Sequence, residues 1–188
     1  MRPFLASLGL LALTTSVAMA DRGHRRHRPD RPAPLDLGHL QAMTTACQNA
    51  FDGPTNEQAC LQVVSRAQHD VVGTISACES AFDGDANELA CLQVAAPSRQ
   101  QMAPLIAACE NAFDGDANEL TCMRTMASSW LPATAVTACE NAFDGDANEQ
   151  ACLDALVGTR YDAAQLVTYC EQNHDGDANE LACIGQFR

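Results

Sequence analysis

Cys109-ENAFDGDANELT-Cys122 sets twelve residues between two cysteines, with a turn sequence at the centre. Upstream, Leu105, Ile106, Ala108, Cys109, Ala112 and Phe113 recur at helical spacing on one face. Asp114-Gly115 then interrupts the pattern, and Gly115 is expected as the left-handed residue that closes the first helix. Asp116 with Glu119 three residues later predicts a capping box opening a second helix, which carries Leu120, Cys122, Met123 and Met126. Each cysteine lies about six residues from the bend, roughly 9 Å along its helix. The two therefore face each other at one level, where a disulfide can staple the hairpin.

The same stretch occurs five times. The other copies are Cys47-QNAFDGPTNEQA-Cys60, Cys78-ESAFDGDANELA-Cys91, Cys139-ENAFDGDANEQA-Cys152 and Cys170-EQNHDGDANELA-Cys183. Their first cysteines are 31, 31, 30 and 31 residues apart, and the pattern uses all ten cysteines of the 188-residue chain. The period supports the local pairs Cys47–Cys60, Cys78–Cys91, Cys109–Cys122, Cys139–Cys152 and Cys170–Cys183. Disulfides between units and a thiolate metal site are the weaker alternatives, since zinc sites use shorter Cys-x2-Cys spacings with His partners.

Start signals precede the first helix of each unit: Asp36, Asp70, Pro104, Pro132, and the capping box Asp162-Ala-Ala-Gln165. Gly73, Pro97, Pro132 and Gly158 are expected to break the chain between units. The expected fold is all-α: ten helices over residues 36–188, stacked as a short α-solenoid or compact repeat array. A loose string of stapled hairpins is the alternative, because the apolar faces are rich in alanine. Units this short do not usually fold without covalent help or neighbours.

Residues 1–20, MRPFLASLGLLALTTSVAMA, have the one early charge, the apolar core and the Ala-Met-Ala end of a secretory signal peptide. The core is too short for a membrane span, and no later segment is apolar enough to form one. The expectation is an exported protein, periplasmic or extracellular, where disulfides persist. Residues 21–35 hold Arg22, Arg25, Arg26, Arg28 and Arg31 with His24, His27 and three prolines. They read as a disordered leader, or as an arm for anionic envelope polymer or a weak His metal site. The chain carries 24 acidic residues and 11 arginines for a net charge of −13. From Leu37 onward the balance is 21 acidic to five basic residues. Such a body argues against nucleic acid as a partner. The partner is expected to be a protein or an envelope polymer.

Two expectations compete for the acidic turns. One is structural: Asp83-Gly84 makes the turn, Asp85 and Glu88 cap the helix, and Asn87 bonds nearby backbone. The other is a Ca²⁺ site built from Asp83, Asp85 and Asn87, with the equivalents Asp114, Asp116, Asn118, Asp144, Asp146, Asn148, Asp175, Asp177 and Asn179. These are hard oxygen ligands. The EF-hand spacing itself fails, with Glu88 where that loop needs Gly, Val94 where it needs Glu, and Pro54 in the first unit. Phe51, Phe82, Phe113 and Phe143 are expected to fill the hairpin base, with His174 as the polar replacement in the last unit. Trp130 and Tyr161 are expected to plug the links, with contact to a partner as the alternative.

No nucleophile elbow, zincin motif or phosphate loop occurs, and the carboxylates repeat five times rather than forming one unique pair. The expected function is a non-catalytic binding or structural module without a resident cofactor. A Ca²⁺-binding repeat protein and a small secreted inhibitor or effector are the alternatives.

Overall fold

The computed structural model describes residues 37–67 and 71–188. The expected signal peptide, the leader, and the start signals Asp36 and Asp70 lie outside the described residues. The described chain contains ten helices in five hairpins. They are α1 (Leu37–Ala50) with α2 (Pro54–Val64), α3 (Val72–Ala81) with α4 (Asp85–Ala95), and α5 (Ala103–Ala112) with α6 (Asp116–Ser128). The last two pairs are α7 (Ala133–Ala142) with α8 (Asp146–Leu156), and α9 (Ala163–Asn173) with α10 (Asp177–Gly185). Each odd helix packs on the next odd helix and each even helix on the next even one. The result is a two-layer stack of hairpins, so the loose string is ruled out.

The staples join Cys47–Cys60, Cys78–Cys91, Cys109–Cys122, Cys139–Cys152 and Cys170–Cys183, with Cα atoms 5.7–5.8 Å apart. All ten sulfurs belong to the core, beside Phe51, Phe82, Phe113 and Phe143. Between units the core is filled from both layers. Ile75, Ile106, Val136 and Val167 come from the odd helices, and Leu92, Met123, Leu153 and Ile184 from the even ones. These residues keep a fixed offset from their staple, which is why one hairpin's apolar face fits the next.

The hairpin turn departs from the sequence reading. Phe113 already ends α5 in an extended conformation, its N–H donating to the Cys109 carbonyl at 3.0 Å. Gly115 is the N-cap of α6 and not the terminator of α5, with φ +81° and ψ 145°. That conformation aims its carbonyl into α6, where it accepts from the N–H groups of Asn118 (3.0 Å) and Glu119 (3.2 Å). Asp116 is consequently the first helical residue, and it makes no side-chain cap bond. The same holds at Asp85, Asp146 and Asp177. With only two residues between Phe113 and Asp116, one glycine must both reverse the chain and open the next helix.

Other starts differ less. Pro104 sits in the first turn of α5, and Asp162 caps α9 by accepting from the Gln165 N–H at 2.9 Å. Pro132 is the N-cap of α7 rather than a first-turn residue. Gly73 lies inside α3 and breaks nothing. Gly158 does break the chain, at φ +87°.

Candidate functional site

The hairpin geometry sorts the charge to two edges. Every staple-spanning turn falls on one edge, and every link between units falls on the other. Asp52, Asp83, Asp114, Asp144 and Asp175 all stand exposed on the turn edge. The acids that follow the glycine are engaged across unit boundaries. Asn56 donates to the Asp85 carboxylate, Asn87 to Asp116, Asn118 to Asp146 and Asn148 to Asp177. Each asparagine also donates to the carbonyl of the aspartate four residues earlier, as Asn87 does to Asp83 at 3.2 Å. Asn179 makes only that local bond, to Asp175, among the described residues.

The residues weighed as calcium ligands are thus divided. Asp85, Asp116, Asp146 and Asp177 serve as acceptors in an inter-unit ladder. Asn87, Asn118 and Asn148 use their amide groups as donors to it, and Asp83, Asp114, Asp144 and Asp175 face solvent. Among the described residues, no three His, Cys, Asp or Glu side chains gather closely enough to share a metal ion.

A second acidic layer lies beneath the first. Glu88, Glu119, Glu149 and Glu180 are each no more than 7% exposed. In every one, Oε2 is buried without a hydrogen-bond partner. Burial, reinforced by Asp85, Glu79, Asp52 and Asp83, pushes the Glu88 carboxyl up to about 7. Burial with Asp116, Glu110, Asp83 and Asp114 does the same for Glu119, to about 7. Glu149 is also raised, chiefly by burial, while a hydrogen bond from the Gly145 backbone pulls the other way. That bond is half of the expected capping box: the glutamate reaches back to the cap backbone, but the cap itself has no side chain.

The link edge has the opposite character. Arg66, Arg99, Arg160 and Arg188 follow the ends of α2, α4, α8 and α10 and are exposed there. Among the described residues the side chains of Arg66, Arg99 and Arg160, together with that of Arg124 on α6, make no ion pair or hydrogen bond. Arg188 donates to the carbonyls of Asp154 and Ala155. Trp130 and Tyr161 are not plugs: they are 78% and 61% exposed. Gln100, Trp130 and Tyr161 each stand nine residues before the next staple cysteine. Gln100 is tied to the carbonyls of Met126 and Ser129, whereas a Trp or Tyr in that place cannot make two such donations. Between the links of Trp130 and Tyr161 runs a groove of about 430 Å³, floored by Leu131, Val157 and Thr159.

At the far end, Tyr161 and Tyr169 meet Phe187 edge-on, at 5.3 and 6.2 Å between ring centres. Tyr169 occupies the place held by Ala46, Ala77, Ala108 and Ala138 in earlier units. His174, in the phenylalanine position, is exposed. Among the described residues no helix is long and apolar enough to cross a membrane. No protein-family model, curated protein or solved structure matches the chain.

Proposed function

We propose that the protein is an exported, non-catalytic binding module of the cell envelope or extracellular space, presenting an extended repetitive surface. The observation that carries this reading is the segregation of charge. In a chain of net charge −13, three link-edge arginines stay unpaired on the edge opposite the acidic turns. Exposed guanidinium groups with no internal acceptor are ready donors for an anionic partner, which supports an external one. Five staples suit an oxidising compartment. Two measurements test the reading. Fractionation of producing cells should find the protein outside the cytosol beginning at Asp21, and cytosolic retention at full length would overturn export. A pull-down from envelope or host extract should retain a partner, and an array that retains none would overturn the binding role.

A calcium-dependent reading keeps one specific support, the orphaned glutamate oxygens beneath the acidic turns. Calorimetric Ca²⁺ titration of the intact protein and of Asp85→Ala tests it. Heat of binding that disappears in the variant would support it. No heat, with an unchanged melting temperature, would sink it.

A further inference from the structure

We propose that the link-edge groove between Trp130 and Tyr161, flanked along the stack by Arg99 and Arg160, binds an anionic polysaccharide chain. The inference rests on the binding-module reading and names the surface and the ligand class. Two observations converge on it. Trp130 and Tyr161 expose large flat apolar faces at equivalent places in successive links. Aromatic faces left in solvent beside a groove are suited to stacking on the apolar face of a sugar ring. Arg99 and Arg160 also hold equivalent places, ten residues before Cys109 and Cys170, and are unpaired among the described residues. They supply cations for carboxylate or sulfate groups.

The periodicity favours a polymer over a small anion. Packed helices lie ~10 Å apart, so the row from the link of Arg99 to that of Arg160 covers two steps, or roughly 20 Å. A chain of several sugar rings can touch a cation, an aromatic, and then both together along that row. The acidity of the rest of the molecule does not forbid this. The turn edge is a full helix of ten or more residues away, about 15 Å. That exceeds the Debye length of ~8 Å at physiological salt. Two acids lie on this edge, one of them, Asp162, in the groove lining itself, and both carboxylates are held by hydrogen bonds within the fold. Asp162 caps α9, and Asp154 accepts from Thr125 and Gln150.

Trp130 is the single tryptophan of the chain, so its fluorescence reports the groove directly. The intact protein is titrated with polygalacturonate, neutral dextran and polyglutamate in low and physiological salt. Expected are a blue shift and saturable binding with polygalacturonate only. Expected too are roughly tenfold weaker binding for Arg160→Ser and, by calorimetry, for Trp130→Ala, with Asp144→Asn unchanged. Equal binding of polyglutamate would show charge alone at work and overturn the carbohydrate assignment. Binding undiminished in both groove variants, or no binding of polygalacturonate, would overturn the groove as the site. An envelope partner still captured in the pull-down would then leave the binding-module reading standing, and its loss as well would remove both.

Discussion

Asn87 in the second unit donates its amide to the Asp116 carboxylate in the third, while holding the Asp83 carbonyl of its own turn. One side chain thus shapes its own hairpin and registers the next. The relationship repeats through Asn56–Asp85, Asn118–Asp146 and Asn148–Asp177. At the first described hairpin Pro54 stands at the acceptor position, and a proline has no carboxylate to accept.

The ladder predicts a measurable coupling between units. A charge-assisted bond near the surface contributes about 1 kcal/mol. Asn87→Ala should cost more than that, because it removes the local bond too. In a double-mutant cycle with Asp116→Ala, the coupling should be about 0.5–1.5 kcal/mol by denaturant unfolding. Pro54→Asp should gain nothing, since among the described residues no asparagine donates at that position. Zero coupling between Asn87 and Asp116 would show that stacking is purely apolar.

The buried glutamates predict that the array is more stable in mild acid than at neutral pH, the reverse of ordinary acid denaturation. Their folded values are raised, so folding favours the neutral carboxyl. Stability from Glu88 and Glu119 is fully present below the ordinary value of 4.5 and is lost as pH rises through about 7. At 1.36 kcal/mol per unit each contributes at most about 3 kcal/mol, less after solvent screening. The melting temperature should fall by several degrees between pH 5 and pH 8. Glu88→Gln with Glu119→Gln mimics the protonated form and should flatten that slope. Asp144→Asn, which only removes one negative charge, should leave it. A slope unchanged by the glutamines would assign the effect to general repulsion.

The staples and the hairpins were legible because Cys109 and Cys122 sit symmetrically about Gly115-Asp116, and five copies exclude coincidence. Packing offsets such as Ile106 before Cys109 and Met123 after Cys122 followed from helical period. The role of Asp116 was not legible. Capping rules concern a residue's own turn, and its carboxylate is taken by an asparagine 29 residues upstream. Trp130 misled for a related reason. A large apolar residue in a link is ordinarily covered, and only the three-dimensional edge reveals that nothing in the described chain covers it. The charge segregation was half visible: the acidic turns repeat in the sequence, but the arginines have no strict period. Only the fold gathers Arg66, Arg99 and Arg160 on one side.

Gly115 predicts a purely backbone effect. Its φ of +81° with extended ψ is glycine territory, yet a Cβ there would meet nothing within 4 Å. Gly115→Ala should therefore cost about 1–3 kcal/mol from strain alone. A D-alanine introduced by chemical ligation should fold with no loss. If L- and D-alanine cost the same, the positive φ is not what the turn requires.

The staples should differ in importance by position, although their loops are equal. Each joins cysteines 13 residues apart, and closing a loop of that length is worth roughly 3 kcal/mol in the chain-entropy model. If loop entropy were everything, replacing any pair by alanine would cost the same. In a stack with nearest-neighbour contacts, however, a weakened central hairpin uncouples both flanks, whereas a weakened terminal one frays alone. Replacing Cys109 and Cys122 should therefore split thermal unfolding or lower its single midpoint strongly. Replacing Cys170 and Cys183 should leave the first four units melting close to wild type, with loss of protection confined to α9 and α10 in hydrogen exchange. Equal midpoints for the two variants would mean that the five hairpins unfold as one indivisible unit.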